Sequence, residues 1–246
     1  MVDRQFAQLH LAELYDLWSP AKERRDFGFY LPMVMEAHAV ADIGCGTGEL
    51  LRLARKAGHA GRLCGIDPAE AMLLVARHEH DVEWVLGDMT TVDWLSEFDL
   101  IVMSCHAFQV LLEDDEILRT LSAIRSALTA DGRFAFETRN PAAREWEKWI
   151  PKNAVEAKGA DGRTVRMSHR VHLPVLSDRV TFTTTFTCSE WPGAEQSEST
   201  LRFLDRNSLG IFLSAAGMSI VDQLGDWSGG PVSATSPEIV TIARAT

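Results

Sequence analysis

Apolar positions along the chain follow two rhythms. Phe6, Leu9, Leu14, Leu17 and Trp18 recur at roughly helical spacing, which predicts a helix over residues 2–18, broken at Ser19-Pro20. A second helical stretch runs from about Ala21 to Tyr30 and is expected to end at Pro32. Short apolar runs then alternate with helical patterns. Strands are predicted at 38–43, 62–66, 82–86, 98–104 and 132–138, and helices at 47–57, 69–78 and 114–128. Such alternation builds a parallel sheet with helices on both faces.

After Asn140-Pro141 the texture changes. "TVRMSHRVHL", "RVTFTTTFTC" and "STLRFL" are rich in Val, Thr and Phe, with turn signals between them at Ser177-Asp178 and Pro192-Gly193. They predict an antiparallel insert of three strands within residues 141–204, placed as a lid on the sheet. The first style then returns, with a helix at 205–216 ending at Gly217, a strand "MSIVDQL" and a last strand "EIVTIARA". The chain reads as one unit: a helical cap (1–36), an α/β core (37–140 and 205–246) and the insert.

Composition narrows the setting. No window approaches a membrane span, and the start "MVDRQFAQLH" lacks the basic-then-apolar pattern of a secretory signal, so a cytoplasmic protein is expected. Cys45, Cys64, Cys105 and Cys188 include no pair with the two-residue gap of a zinc or redox motif and are expected to be reduced thiols. His169 and His172 would face opposite sides of a strand, so no metal is expected there. A net charge of −11 argues against a broad nucleic-acid surface. The acidic run "EDDE" at 113–116 precedes an apolar-periodic helix, where carboxylates favour the N-terminal dipole.

Open α/β sheets bind ligands at the carboxyl ends of their strands. The first strand ends in Asp42-Ile43-Gly44-Cys45-Gly46-Thr47-Gly48. A dinucleotide fingerprint is G-x-G-x-x-G, and here the third glycine comes one residue early. A P-loop needs a Lys after its glycines, and none follows. Asp42 would also repel phosphates. The second strand leads to Asp67-Pro68, where an acid can accept hydrogen bonds from both hydroxyls of a ribose, and the third to Gly87-Asp88-Met89, a carboxylate and an apolar side chain suited to an adenine.

Together these sites resemble the class I S-adenosylmethionine-dependent methyltransferases, from about Tyr15 to the C-terminus. "FDLIVMSCHAFQVL" and "LSAIRSALTADGRFAFETRNP" extend the likeness through the fourth and fifth strands. The resemblance implies a doubly wound, seven-stranded Rossmann-like sheet whose last strand is antiparallel, with S-adenosylmethionine as cofactor. Asp42 and the backbone near Gly44, Cys45, Gly46 and Gly48 would meet the methionine moiety, unless Asp42 only caps the turn. Asp67, Pro68, Met72, Asp88 and Met89 would hold the adenosine, with Ser104 and Cys105 as walls. Tyr15 is placed on the methionine side or in helix packing. Arg25 is a candidate for the cofactor carboxylate, and Arg24 and Arg25 alternatively form a solvated face.

The [DN]-P-P-[FY] run of exocyclic-amine methyltransferases is missing at Ser104-Cys105-His106, and Cys105 does not follow Pro as in pyrimidine-carbon enzymes. His106 is the candidate general base, on the ground that an imidazole ordinarily titrates near neutral pH; a hydrogen-bonded wall histidine fits equally. Tyr30, Phe108, Gln109, Arg139, Asn140, Trp146 and Trp149 are candidates for the substrate side, and the two tryptophans equally suit packing of the insert onto the core. The expected activity is methyl transfer to an oxygen or nitrogen of a small molecule, in a monomer or homodimer. A tRNA or protein acceptor is the alternative, and an NAD(P)-dependent oxidoreductase a more distant one.

Overall fold

A computed structural model describes residues 2–159 and 162–246. Five strands come first: β1 (Ala39–Ile43), β2 (Arg62–Asp67), β3 (Glu83–Leu86), β4 (Phe98–Met103) and β5 (Leu128–Arg139). Between them lie α5 (Glu49–Lys56), α6 (Glu70–Ala76) and α7 (Asp114–Ala127), and α1 (Arg4–Ala7), α2 (Leu9–Ala12), α3 (Tyr15–Trp18) and α4 (Arg25–Glu36) precede β1. After β5 come β6 (Val155–Lys158), β7 (Thr164–Val171), β8 (Arg179–Thr187), β9 (Glu195–Arg202), α8 (Arg206–Ala215), β10 (Met218–Leu224) and β11 (Glu238–Ala245).

Seven strands form one sheet in the order β10-β11-β5-β4-β1-β2-β3. The first five are parallel, and β11 runs antiparallel between β5 and β10. This is the predicted doubly wound sheet with its antiparallel last strand. Every residue of β1 is buried, as a strand covered on both faces requires. Val40, Leu100 and Ala135 pack on one face with α4 and α5, while Ala41, Ile101 and Phe134 pack on the other with α7 and α8. Among the described residues no helix is long and apolar enough to cross a membrane.

The N-terminal helix predicted over 2–18 is three short helices, α1 (Arg4–Ala7), α2 (Leu9–Ala12) and α3 (Tyr15–Trp18). The apolar residues here serve two partners. Phe6, Ala12 and Tyr15 pack on Ala69, Ala71 and Met72 around α6, whereas Leu11, Leu14 and Trp18 pack on Val165 and Phe186 of the insert. A straight helix cannot present both sets, and the chain breaks at Gln8, whose backbone is extended. Helix α4 (Arg25–Glu36) passes through Pro32 instead of ending before it. The carbonyl that loses its donor belongs to Gly28, which is exposed, so water can satisfy it.

The insert holds four strands, in the order β6-β7-β8-β9, rather than three. The unpredicted strand, β6, is short and largely exposed, and its "VEAK" carries no run of β-branched residues. The acidic run does start α7: Glu116 Oε2 accepts from the backbone N–H of Leu112 at 2.9 Å. It also anchors the insert. Arg179 pairs with Glu113 at 2.9 Å, and Arg202 pairs with Asp114 and Asp178 at 2.7 Å each.

Candidate active site

The carboxyl ends of β1, β2, β4 and β5 meet beneath α1–α3, the start of α4 and the inner face of the insert. Gly44, Gly46 and Gly48 all have positive φ, at +69°, +55° and +74°. A Cβ at Gly48 would lie 2.2 Å from the Trp84 ring, and one at Gly44 would lie 2.9 Å from Ala107 Cβ. The loop therefore stays bare backbone for steric as well as conformational reasons. Cys45 turns its thiol away from the loop into a small cluster with Leu73, Ala76 and Trp84, leaving only its backbone to a ligand.

Asp42 lies below this loop, almost wholly buried, and its Oδ1 has no hydrogen-bond partner among the described residues. Burial pushes its carboxyl well above the usual range, against the pull of Arg24. An orphaned buried oxygen beneath a glycine loop fits an ammonium ligand. Asp67 accepts from the backbone N–H groups of Gly46 and Ala69, each at 2.8 Å. Those two bonds orient the carboxylate and leave its other lone pairs for a diol. Pro68 beside it is exposed. Asp88 is exposed, its Oδ1 held by the Thr90 N–H at 2.8 Å. Met89 lies in the main core and Met72 against the N-terminal helices, so both present little surface to an adenine.

The cap contributes a different arginine from the expected one. Arg25 is exposed, whereas Arg24, the residue before α4, turns inward. Its Nε donates to Asp26 at 2.8 Å, its guanidinium stacks on Phe27 at 3.9 Å, and its charge acts on Asp42, Cys105 and Tyr15. Tyr15 donates its hydroxyl to the Cys105 thiol at 3.3 Å. Burial pushes that thiol up to about 11, so it stays protonated at neutral pH. Asp16, also on the cap, accepts from Thr47 at 2.7 Å and pairs with Arg52 at 3.0 Å, clipping the cap to the glycine loop.

Beyond β4, Ser104 is buried, and both Cys105 and His106 have positive φ, at 58° and 61°. That tight turn is held from below. The His106 backbone N–H donates to Glu137 Oε1 at 2.8 Å, and the Tyr30 hydroxyl donates to Glu137 Oε2 at 2.5 Å. Tyr30 is thus a buried brace. The imidazole Nε2 of His106 contacts Glu238 Oε2 at 2.9 Å. Burial and the neighbouring Arg139 push His106 down to about 3, so the expected neutral titration does not hold for this imidazole. Burial pushes Glu238 up to about 7.

The substrate-side candidates divide. Arg139 is half-buried, bonds Gln109 Oε1 at 3.1 Å and lies 5.2 Å above the Trp149 ring. Trp149 packs on Phe182 and faces His169, so His169 looks inward. His172 is on the outside, bonded to Thr183 at 2.8 Å. Gln109 is buried behind Arg139 and ties it to the Arg202 carbonyl. Three residues belong to packing instead. Phe108 stacks on Phe136 in the main core, Trp146 packs edge-on against Phe203 of the insert, and Asn140 donates to the carbonyls of Ser233 and Ser236 at 2.9 Å each.

Residues 40–132 match the family described as "Methyltransferase domain". The chain is 25% identical over 214 residues to the cypemycin N-terminal methyltransferase of Streptomyces sp., covering 85% of this chain and 83% of that one. It spans about half the length of several other curated methyltransferases it matches. Among solved structures, it superposes on the CcbJ methyltransferase of Streptomyces caelestis with a TM-score of 0.77 at 21% identity, over 98% of each chain. It also superposes on S-adenosylmethionine-bound CalS10, an amino pentose methyltransferase from Micromonospora echinaspora, with a TM-score of 0.71 at 20% identity, over 97% of each. The bare glycine loop, the orphaned carboxylate beneath it and the oriented acid after β2 all lie within the segment that matches the methyltransferase domain, and together they support a class I S-adenosylmethionine-dependent methyltransferase.

Proposed function

We propose that this chain methylates an amine nitrogen of a small polar molecule, using S-adenosylmethionine. The observation that carries the choice of nitrogen is the charge around the β4–β5 end. Glu137, Glu238 and Asp26 converge on His106, with Arg24 and Arg139 as the cations acting there. An excess of carboxylates in a low-dielectric cleft favours a cationic acceptor over an anionic one. The relatives named for an N-terminus and an amino pentose support the same class.

When bound, the cofactor supplies an electrophilic methyl on a sulfonium. Asp42 would hold its ammonium and Asp67 its ribose, with the glycine loop along the backbone between them. Tyr15, Cys105 and the turn at His106 enclose the reacting centre and keep water from it. Orientation of this kind is worth ~7–11 kcal/mol, so most of the rate comes from placement.

The test is incubation of methyl-labelled S-adenosylmethionine with paired small molecules, amino sugars and their hydroxyl counterparts, with product identification by mass spectrometry. Label is expected on the amines. Label on hydroxyls alone would overturn the reading.

A further inference from the structure

His106 and Glu238, 132 residues apart in the chain, meet in the cleft, Nε2 to Oε2 at 2.9 Å. His106 sits immediately beyond β4, on a turn with positive φ that Glu137 and Tyr30 fix in place. Its side chain and that of Glu238 are 18% and 14% exposed, so both border the cleft. The other ring nitrogen, Nδ1, has no hydrogen-bond partner among the described residues. One end of the imidazole is therefore engaged by a carboxylate and the other is available to a ligand.

We propose that His106 and Glu238 form a two-site proton relay: His106 Nδ1 takes a proton from the acceptor's ammonium while His106 Nε2 passes its own to Glu238. The proposal rests on the amine reading given above. The acceptor's N–H bond breaks and an Nδ1–H bond forms. The Nε2–H bond breaks and an O–H bond forms on Glu238. The nitrogen keeps its electron pair, which becomes the nucleophile for the methyl. After each turnover Glu238 returns its proton to Nε2 and Nδ1 gives its own to water, which restores the starting tautomer. His106 is the group that touches the acceptor, and Glu238 acts through it.

The relay explains why so weak a base occupies this place. The imidazole never becomes a cation. It enters and leaves the step neutral, having exchanged one tautomer for the other, so a low His106 value is no obstacle. Proton uptake is governed by Glu238, which burial has brought to about 7. The charged groups acting on the pair come from each side. Arg139 and Glu137 lie on β5, Glu145 follows it, and Arg24 and Asp26 lie at the start of α4. Arg139 opposes the imidazolium and favours the Glu238 carboxylate, so it lowers both, and it is burial that drives the two apart.

The tautomer is directly observable in protein labelled with nitrogen-15 histidine, with no substrate present. As pH rises through about 7, His106 is expected to stay neutral and switch from the Nδ1–H form to the Nε2–H form, following Glu238. In Glu238→Gln the switch should disappear while thermal stability stays close to the parent's. Titration of His106 to imidazolium near its usual 6.5, or an unchanged tautomer across this range, would overturn the relay. Turnover on any amine found to be a substrate gives a second reading. The parent's kcat/KM should fall tenfold per pH unit below about 7, and Glu238→Gln should move that limb to the amine's own pKa. A variant slowed equally at every pH would mean that Glu238 is merely structural. A protein that shows the tautomer switch but methylates no amine would instead refute the amine reading alone.

Discussion

Gly48 is the position where a single methyl group should be most visible. Its φ of +74° costs an L-residue about 1–2 kcal/mol. Its Cβ would fall 2.2 Å from the outer edge of the Trp84 ring, and overpacking of that kind costs about 1–3 kcal/mol. Gly48→Ala should therefore destabilise by about 2–5 kcal/mol, and at this chain length each kcal/mol lowers Tm by about 2–4 °C. The two parts can be separated. Trp84→Phe withdraws the outer ring edge and relieves the clash but leaves the backbone strain. By itself it loses the indole hydrogen bond to the Glu79 carbonyl, 2.8 Å long, and costs about 1–3 kcal/mol. The double variant should accordingly be more stable than the sum of the singles predicts, by about 1–3 kcal/mol. Thermal unfolding of the four proteins, followed by circular dichroism, measures this cycle. If Gly48→Ala leaves Tm unchanged, or the two substitutions add without coupling, the steric account of the third glycine is wrong.

Three further outcomes are expected. Arg24→Ala strands Asp26 in a buried position and should cost about 3–5 kcal/mol as well as cofactor affinity, while Arg25→Ala should leave both near the parent, by thermal melts and calorimetry with S-adenosylhomocysteine. Asp42 binds its proton more tightly folded than unfolded, so stability of the ligand-free protein should fall as pH rises above the unfolded value of 3.8, while affinity for the ammonium-bearing ligand rises. Asp42→Asn should then raise Tm at neutral pH and weaken S-adenosylhomocysteine binding about tenfold to a hundredfold, flattening its pH dependence. Asn140→Ala should cost about 1–3 kcal/mol by unpairing the carbonyls of Ser233 and Ser236, and expose the segment before β11 to limited proteolysis.

Strands covered on both faces were the most legible part of the sequence. β1 and β4 lie within a residue or two of their apolar runs, because burial on two sides leaves each a single polar residue, Asp42 and Asp99. The positions of Asp42 and Asp67 at the carboxyl ends of β1 and β2 were legible because each lies at the end of a short apolar run. What escaped depends on phase and partner. Arg24 and Arg25 differ by one residue, and only the observed start of α4 decides which turns inward. Phe108 and Asn140 follow strands whose ends form the cleft, but proximity along the chain did not reveal that each is consumed by packing, and for Trp146 it left packing and substrate contact equally open. Glu137 does carry a signal in the sequence. An acid inside the run "FAFETR" has no solvent to face, so it must serve a buried partner. Glu238 had none, since its contact with His106 arises only because β11 lies beside β5.

The position of β11 also bears on how the protein is made. Of the seven strands of this sheet, the one at residues 238–245 is last in sequence order, yet it fills the slot between β5 and β10. During synthesis β1 to β5 can assemble as soon as they emerge, but β5 then carries an unpaired edge, and β10 has no sheet to join. The nascent chain therefore presents a sticky parallel sheet until the final strand is delivered. A cleavage or stop anywhere before Glu238 would leave that edge permanently open, and with it a chain prone to pair with copies of itself.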